Sequence, residues 1–236
     1  MPAVFVHGVP DTSEMWDPLL AKLDRSDVVT LRLPGFGEPV PAGFGCTMND
    51  YAAWVATQLG GIDEPVDLVG HDWGSLITQR VAITKPELLR TFTQIDAAIT
   101  DAFTWHDLAT QWQTPGVGEQ IMELMTPDAV AAAIGDAGHP DAKGAAARVD
   151  ETMKSAILKL YRSATNIAAE WSPTGPSERP GLVLWGADDA FGKPESGERV
   201  SGIYGAKFVL LNGGHWAVIE HPNDSAAALA AFWTSV

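Results

Sequence analysis

Asp72 is a carboxylate located where the sequence predicts a sharp bend between a strand and a helix. The apolar run Val66–Val69 predicts a buried strand, and Leu76–Ala82 predicts a helix. Gly70 and Gly74 flank Asp72, and glycines permit a backbone turn too tight for larger residues. On its own, a glycine-flanked aspartate is more often part of an ordinary turn. Between this strand and this helix, the pattern predicts a nucleophile exposed at the bend.

A nucleophile of this kind needs a base, and the base needs a group that orients it. Among the six histidines, His215 lies in a glycine-rich loop between the last predicted strand and the last predicted helix. That position brings it to the edge of the sheet where Asp72 is expected. Three carboxylates could orient it: Asp188 and Asp189 follow the penultimate strand, and Asp96 follows the strand after the bend. The residue types alone leave the choice among these three open.

These side chains suit attack at a saturated carbon. The Asp72 carboxylate would displace an alkoxide or a halide and would then carry the substrate as an alkyl ester. His215 would deprotonate a water that attacks the ester carbonyl, and the orienting acid would stabilise the charged imidazole. Since the sequence has no Cys/His spacing typical of a metal site, we expect neither a metal nor an organic cofactor.

The elements around these residues alternate between strands and helices, which predicts an α/β protein with a mostly parallel sheet covered on both faces. From about residue 100 to residue 177 the strands disappear and amphipathic helical stretches follow one another. We therefore predict a core of residues 1–99 and 178–236 with a helical cap of residues 100–177 inserted in it. Predicted strands are 3–6, 28–33, 66–69, 91–95, 182–185 and 207–211. A helix is predicted from Asp11 to Leu23, and the helical stretches predicted in the cap are 105–113, 117–125, 128–137 and 150–171.

Composition excludes several classes of partner. The net charge of −15 over 236 residues argues against nucleic acid and against anionic membrane surfaces. Cys46 is the one cysteine, which excludes an intrachain disulfide, and the N-terminus lacks the pattern of a signal peptide. We expect a cytoplasmic protein acting on a small molecule, with an oligomeric state that the sequence does not give.

Four motifs stand out along the chain, namely His7–Pro10, Gly70–Gly74, Gly186–Asp189 and Gly214–Trp216. Taken together, they resemble the α/β-hydrolase superfamily, in particular its aspartate-nucleophile branch of epoxide hydrolases and haloalkane dehalogenases. The resemblance covers essentially the whole chain. It implies an α/β-hydrolase fold with a helical lid, selects Asp189 as the orienting acid, and implies an oxyanion hole formed by the backbone N–H groups of Trp73 and Val9. Because the chain begins close to the first motif, the sheet is expected to lack N-terminal edge strands that relatives carry.

The leaving group separates the two activities that the resemblance implies. Epoxide hydrolases protonate the leaving oxygen with lid tyrosines, and the lid here offers Tyr161 alone. Dehalogenases hold the halide with tryptophan N–H groups, for which Trp73 and the lid tryptophans are candidates, although Val9 stands where many carry Asn or Glu. We expect an epoxide hydrolase; the alternatives are a haloalkane dehalogenase, another hydrolase reaction or a non-catalytic ligand-binding relative. Candidate substrate-binding residues are Phe36, Trp105, Trp112 and Trp216, together with Trp73 and Tyr161.

Overall fold

A computed structural model describes all residues, 1–236, and contains one six-stranded sheet in which every neighbouring pair of strands is parallel. The predicted mostly parallel sheet is therefore confirmed. The strand order is β2-β1-β3-β4-β5-β6. The strands are β1 (Ala3–Val6), β2 (Val28–Leu31), β3 (Val66–His71), β4 (Leu89–Ile95), β5 (Gly181–Gly186) and β6 (Lys207–Leu211).

Helices cover both faces of the sheet, because the central strands carry apolar side chains that point both ways. In β1, for example, Val4 and Val6 belong to one buried cluster, whereas Ala3 and Phe5 belong to the other. The helices are α1 (Asp17–Leu20), α2 (Met48–Gly60), α3 (Trp73–Thr84), α4 (Asp107–Gln113), α5 (Val117–Leu124), α6 (Pro127–Asp136), α7 (Ala142–Ala147), α8 (Glu151–Ser163), α9 (Ile167–Trp171), α10 (Pro194–Tyr204), α11 (Ala217–Glu220) and α12 (Pro222–Thr234).

The order of the strands creates a crevice at their carboxyl ends. From β1 the chain moves outward to β2 and then crosses back to β3, so β1 and β3 lie side by side with Val6 opposite Gly70. Loops leaving two such strands diverge in opposite directions, and open α/β sheets bind ligands at this point. The loop after β1 and the bend after β3 therefore meet.

Helices differ from the sequence prediction at three places. A single helix was expected from Asp11 to Leu23, but the chain forms a 3₁₀ turn at Ser13–Trp16 followed by the short α1. Asp11 does not cap that turn, because its carboxylate accepts hydrogen bonds from His139 and Trp216 instead. The helix expected over 150–171 is divided into α8 and α9, and α7 was not predicted.

Between β4 and β5 the chain forms the six helices α4 to α9 and no strand. We refer to residues 100–177 as the helical insert. Its side chains join both buried clusters of the core, Leu160 on one face of the sheet and Ile134 on the other. The insert thus packs against both buried clusters of the core. No helix of the protein has the length and apolar character needed to cross a membrane.

Candidate active site

Asp72 lies between β3 and α3 in a backbone conformation that residues other than glycine rarely adopt, with φ of 52° and ψ of −120°. The bend brings α3 against β1 so closely that a methyl group on Gly74 would overlap the carbonyl oxygen of Val6. Glycine is therefore required there by contact distance. As a result the Asp72 side chain is held at the tip of the bend, where it is 18% exposed.

One carboxylate oxygen of Asp72 is bound by the loop that follows β1. The backbone N–H of Val9 donates to Oδ1 at 2.7 Å. Gly8 permits this contact, because a side chain on Gly8 would overlap the Asp72 carboxylate. Trp73 is the first residue of α3, where backbone N–H groups have no partner within the helix. Of the two backbone donors expected from the sequence, Val9 thus binds the Asp72 carboxylate, and Trp73 directly follows Asp72 in the chain.

His215 faces the other carboxylate oxygen. Its Nε2 lies 3.6 Å from Asp72 Oδ2, and its Nδ1 lies 3.0 Å from Asp189 Oδ1. The Asp189 side chain is fully buried, and its Oδ1 also accepts the N–H of Phe191 at 2.9 Å. Asp188, the neighbouring residue, is exposed. The three side chains form a continuous chain from carboxylate to imidazole to carboxylate.

The electrostatics of the three groups favour an ion pair between Asp72 and His215. Burial alone would lower the pKa of His215, but the carboxylates of Asp189 and Asp72 outweigh it and raise that pKa well above its usual value. Burial likewise opposes ionisation of Asp72, yet the hydrogen bonds and charge of His215 lower the pKa of this carboxyl. Both shifts favour a negative Asp72 and a positive His215 when no substrate is bound.

Two further buried groups, His71 and Asp96, lie behind this chain of side chains. Burial, and then the charge of His215, lowers the pKa of His71 to about 4, so its ring is neutral. Its Nε2–H donates to the carbonyl oxygen of His215 at 2.7 Å and fixes that backbone. Asp96 accepts the N–H of Gly186 at 2.6 Å and makes no hydrogen bond to His215. Of the three carboxylates considered from the sequence, Asp189 is the one bonded to the histidine.

A cavity of about 390 Å³ opens in front of Asp72 and His215 and is mostly apolar. Its far wall comes from the helical insert, through side chains of α4, α5, α6 and α8. Such a lining favours a substrate with an apolar substituent, since apolar groups gain free energy on leaving water. The apolar residues of that wall include Leu108, Trp112, Ile121, Leu124, Met125, Val130, Ala133 and Ile134.

A second cavity, of about 880 Å³, meets the first at the same carboxylate and is more polar. Its lining includes three charged residues of the loop and helix that follow β5, namely Lys193, Glu195 and Arg199. The site therefore has an apolar side and a polar side. Five residues border both cavities, namely Asp72, His106, Tyr161, Phe191 and His215.

Most of the aromatic residues expected at the site line one of these cavities. Tyr161 lines both, Trp112 and Trp216 line the apolar cavity, and Trp105 lines the polar one. The prediction for Phe36 was wrong. Its fully buried ring packs against His7 and Tyr51 in the core and reaches neither cavity, because the loop after β2 turns it inward.

Sequence reasoning missed His106 and Phe191 as site residues. Phe191 follows Asp189 by two positions, and its ring lies 4.9 Å from the ring of His215. His106 caps α4 and packs against Phe191 with ring centroids 5.5 Å apart. Each is a near neighbour in the chain of a residue that had been identified, Asp189 or Trp105, which was the one available signal.

Comparison with known proteins gives a consistent family. Residues 3–229 match the alpha/beta hydrolase family. A curated relative, (E)-2-((N-methylformamido)methylene)succinate hydrolase from Acinetobacter baylyi, is 24% identical over 243 residues, covering 98% of this chain and 89% of that protein.

Solved structures show the same fold. An epoxide hydrolase from Vigna radiata superposes with a TM-score of 0.82 at 17% identity, covering 100% of this chain and 92% of its own. A haloalkane dehalogenase loop variant from Bradyrhizobium elkanii gives a TM-score of 0.77 at 17% identity, covering 99% and 89%. An aspartate at the nucleophile position is compatible with these relatives. The chain has the α/β-hydrolase fold and is a hydrolase of the alpha/beta hydrolase family.

Proposed function

We propose that this hydrolase opens small epoxides through a covalent ester on Asp72, with residues 100–177 acting as the cap over the site. The observation that carries the proposal is the position of His215. Its Nε2 lies 3.6 Å from Asp72 Oδ2 while Asp189 holds its Nδ1 at 3.0 Å. A carboxylate at the nucleophile position, followed by an oriented imidazole, suits attack at saturated carbon and later hydrolysis of the ester.

In the first step Asp72 Oδ2 bonds to an epoxide carbon, and the carbon–oxygen bond of the ring breaks with its electron pair on oxygen. That oxygen becomes an alkoxide and takes a proton from the Tyr161 hydroxyl. Tyr161 is 3% exposed and lines both cavities beside Asp72. Asp72 Oδ1, already bound by the Val9 N–H, becomes the carbonyl oxygen of the ester.

In the second step water attacks the carbonyl carbon of the Asp72 ester and gives a proton to His215. The N–H groups of Val9 and Trp73 stabilise the oxyanion on Oδ1. In comparable sites each such donor lowers the activation free energy by about 3 kcal/mol. Collapse of the intermediate releases the second oxygen of the diol, which takes the proton held by His215. The remaining carboxyl proton of Asp72 returns to Tyr161 through water.

The same residues explain how His215 becomes a base. In the free enzyme two carboxylates raise its pKa well above the usual value. Esterification removes the negative charge of Asp72, so one of these two influences disappears and the pKa of His215 falls. The imidazolium then gives its proton to solvent, so the ring is neutral when water has to be deprotonated and remains oriented by Asp189. It takes a proton from solvent again once Asp72 has returned to its negative form.

A haloalkane dehalogenase using the same triad is the second candidate. Its supporting observation is that the indole N–H groups of Trp73 and Trp112 are both buried without a hydrogen-bond partner. A halide needs such donors at the cavity surface, but both nitrogens are covered by neighbouring side chains. The Trp105 N–H is occupied by the carbonyl of Ala164 at 3.0 Å. Tyr161, which lines both cavities, suits a leaving oxygen better, and this contrast favours the epoxide.

The His215→Ala variant tests the proposal, because it removes the base of the second step and leaves the nucleophile. After incubation with styrene oxide, intact-protein mass spectrometry is expected to find the mass of one whole epoxide added, located on Asp72 by peptide mapping. His221→Ala, which changes an exposed histidine, is the matched control and should turn over without an adduct.

Other outcomes contradict the proposal. If incubation with 1-bromobutane adds a butyl group to Asp72 and releases bromide, the protein is a haloalkane dehalogenase. No adduct with either compound, together with thermal stabilisation by one of them, identifies a binding protein. Turnover that survives Asp72→Ala excludes the covalent ester for both chemistries.

A further inference from the structure

Opening an epoxide leaves charge on one oxygen, and a single tyrosine is a weak partner for it. Burial, followed by the nearby carboxylate of Asp72, raises the pKa of Tyr161 well above its usual value. A hydroxyl in this environment is a poorer acid than a free phenol, so the leaving alkoxide gains from a second hydrogen-bond donor. That donor has to border the space in which Asp72 attacks.

His106 meets this condition by its position. It is one of the five residues that border both cavities, with Asp72 and Tyr161 among the others. Its ring is half-buried and packs between Phe191, at 5.5 Å, and Trp105, at 6.5 Å between ring centroids. Trp105 in turn contacts Tyr161 at 5.2 Å, so His106 and Tyr161 flank the same indole.

The proton of the His106 ring is fixed by the helix that the residue caps. Nδ1 accepts the backbone N–H of Ala109 at 3.2 Å, as the N-cap of α4. A ring nitrogen that accepts carries no proton, so the neutral ring must carry it on Nε2. Nε2 makes no hydrogen bond within the chain, and it does not belong to the buried side-chain nitrogens that lack a partner. The free N–H is therefore oriented and available to a ligand.

We propose that the Nε2–H of His106 is the second hydrogen-bond donor to the leaving oxygen, beside the hydroxyl of Tyr161. The inference rests on the proposed epoxide opening. His106 donates a hydrogen bond in the first step and keeps its proton throughout, whereas Tyr161 transfers one and regains it. The ring oxygen has already left when the ester is hydrolysed, so His106 acts on the first step alone.

Two variants separate the proposed donor role of His106 from its structural role as the N-cap of α4. His106→Ser keeps a side chain that caps α4 but has no donor at the reach of Nε2. His106→Phe keeps an aromatic ring against Phe191 but cannot cap and cannot donate. The variants thus lose different structural contacts and the same N–H. Rapid-quench mixing with styrene oxide, read by intact mass, gives the rate of adduct formation and the rate of adduct hydrolysis separately.

We expect both variants to form the Asp72 adduct about 10- to 100-fold more slowly, with adduct hydrolysis within about twofold of the wild-type rate. Adding either change to Tyr161→Phe should reduce adduct formation further. Wild-type rates of adduct formation in both variants overturn the inference, as does equal slowing of both steps. In each of these cases the adduct still forms, which keeps the proposed function standing, whereas absence of any adduct in His215→Ala contradicts the function itself.

Discussion

The ends of the strands and the helical insert contribute different kinds of side chain to one cavity. At the strand ends, Asp72, His215 and Asp189 are each held by a named hydrogen bond or ion pair. In the insert, the wall is apolar, and its polar members Tyr161 and His106 face the cavity. The strand ends therefore supply the candidate reacting groups, and the insert supplies most of the apolar surface of the cavity.

This difference has a physical origin. The reacting groups must hold their geometry to within a few tenths of an ångström, and ends of buried parallel strands provide that rigidity. An apolar wall works through contact area, which tolerates small displacements. Changes at strand ends should thus reduce reaction rates for every substrate, whereas changes in the insert should reorder substrates.

The largest effect is expected for Asp189→Asn. The amide cannot stabilise a positive His215 and disturbs the tautomer that His215 needs, so turnover should fall roughly 10³- to 10⁴-fold. Because the first step does not use His215 as a base, the Asp72 adduct should accumulate. Steady-state kcat together with intact mass measures both effects. Asp188→Asn, at the adjacent exposed position, is the control, and equal losses in the two variants would contradict the assignment of the acid.

The next largest effect is expected for Gly8→Ala. The added methyl group overlaps the Asp72 carboxylate and displaces it from the Val9 N–H. Loss of one such donor lowers rates by about 10²- to 10³-fold. In Gly60→Ala the methyl group meets no atom within 4 Å, so activity should be unchanged. A Gly8→Ala enzyme with wild-type kcat would show that the Val9 contact is not needed.

The same contrast decides how much the sequence could predict. The bend at Asp72 was predictable because it is local: a strand, two glycines and a helix lie within a few residues. His215 and Asp189 were predictable because parallel strands all end at one edge, so the residues that follow them meet there. For these groups, chain position alone determines the neighbourhood.

The cavity wall was less predictable, because side-chain direction in loops depends on packing against distant residues. Phe36 was expected at the site, but it turns into the core against Tyr51. Asp11 was expected to start a helix, yet it binds His139, which lies 128 residues away in sequence. No motif in the sequence marks His106. The position of the proton on its ring follows from the hydrogen bond that Nδ1 accepts from the backbone N–H of Ala109.

A third prediction concerns Asp11, which links the helical insert to the loop that carries His215. Its Oδ1 lies 3.0 Å from His139 Nε2 in the insert, and its Oδ2 accepts the Trp216 N–H at 2.8 Å beside His215. His139 Nδ1 accepts the N–H of Asp141, so Nε2 must donate. In Asp11→Asn one of the two donors faces an amide NH₂ group, which cannot accept a hydrogen bond, and the other faces an uncharged oxygen, which is a weaker acceptor. We expect the free energy of unfolding to fall by about 2 kcal/mol in urea titrations.

The pH dependence of that loss follows from the pKa of Asp11. Burial would raise this pKa, but the hydrogen bonds from His139 and Trp216 outweigh it and lower it. A carboxyl with a lowered folded-state pKa stabilises the protein above its unfolded pKa of about 3.9, and the stabilisation is lost as pH falls through the folded value. The difference in the free energy of unfolding between wild type and Asp11→Asn should therefore become smaller at acidic pH. A difference independent of pH, or an equal loss in the exposed control Asp17→Asn, would contradict the charged role of Asp11.

The smallest effect is expected in the wall itself. Ala133 on α6 lines the apolar cavity, whereas its neighbour Ala132 does not. Ala133→Phe should fill part of the cavity and displace about two methylene groups of a long substituent, each worth about 0.8 kcal/mol. The ratio of kcat/KM for 1,2-epoxyoctane to that for 1,2-epoxybutane should then fall about tenfold, with kcat for the shorter epoxide unchanged. Ala132→Phe should leave the ratio as it is. A fall in kcat for both epoxides alike would mean that the insert also holds the reacting groups in place, and the division of labour between sheet and insert would then be wrong.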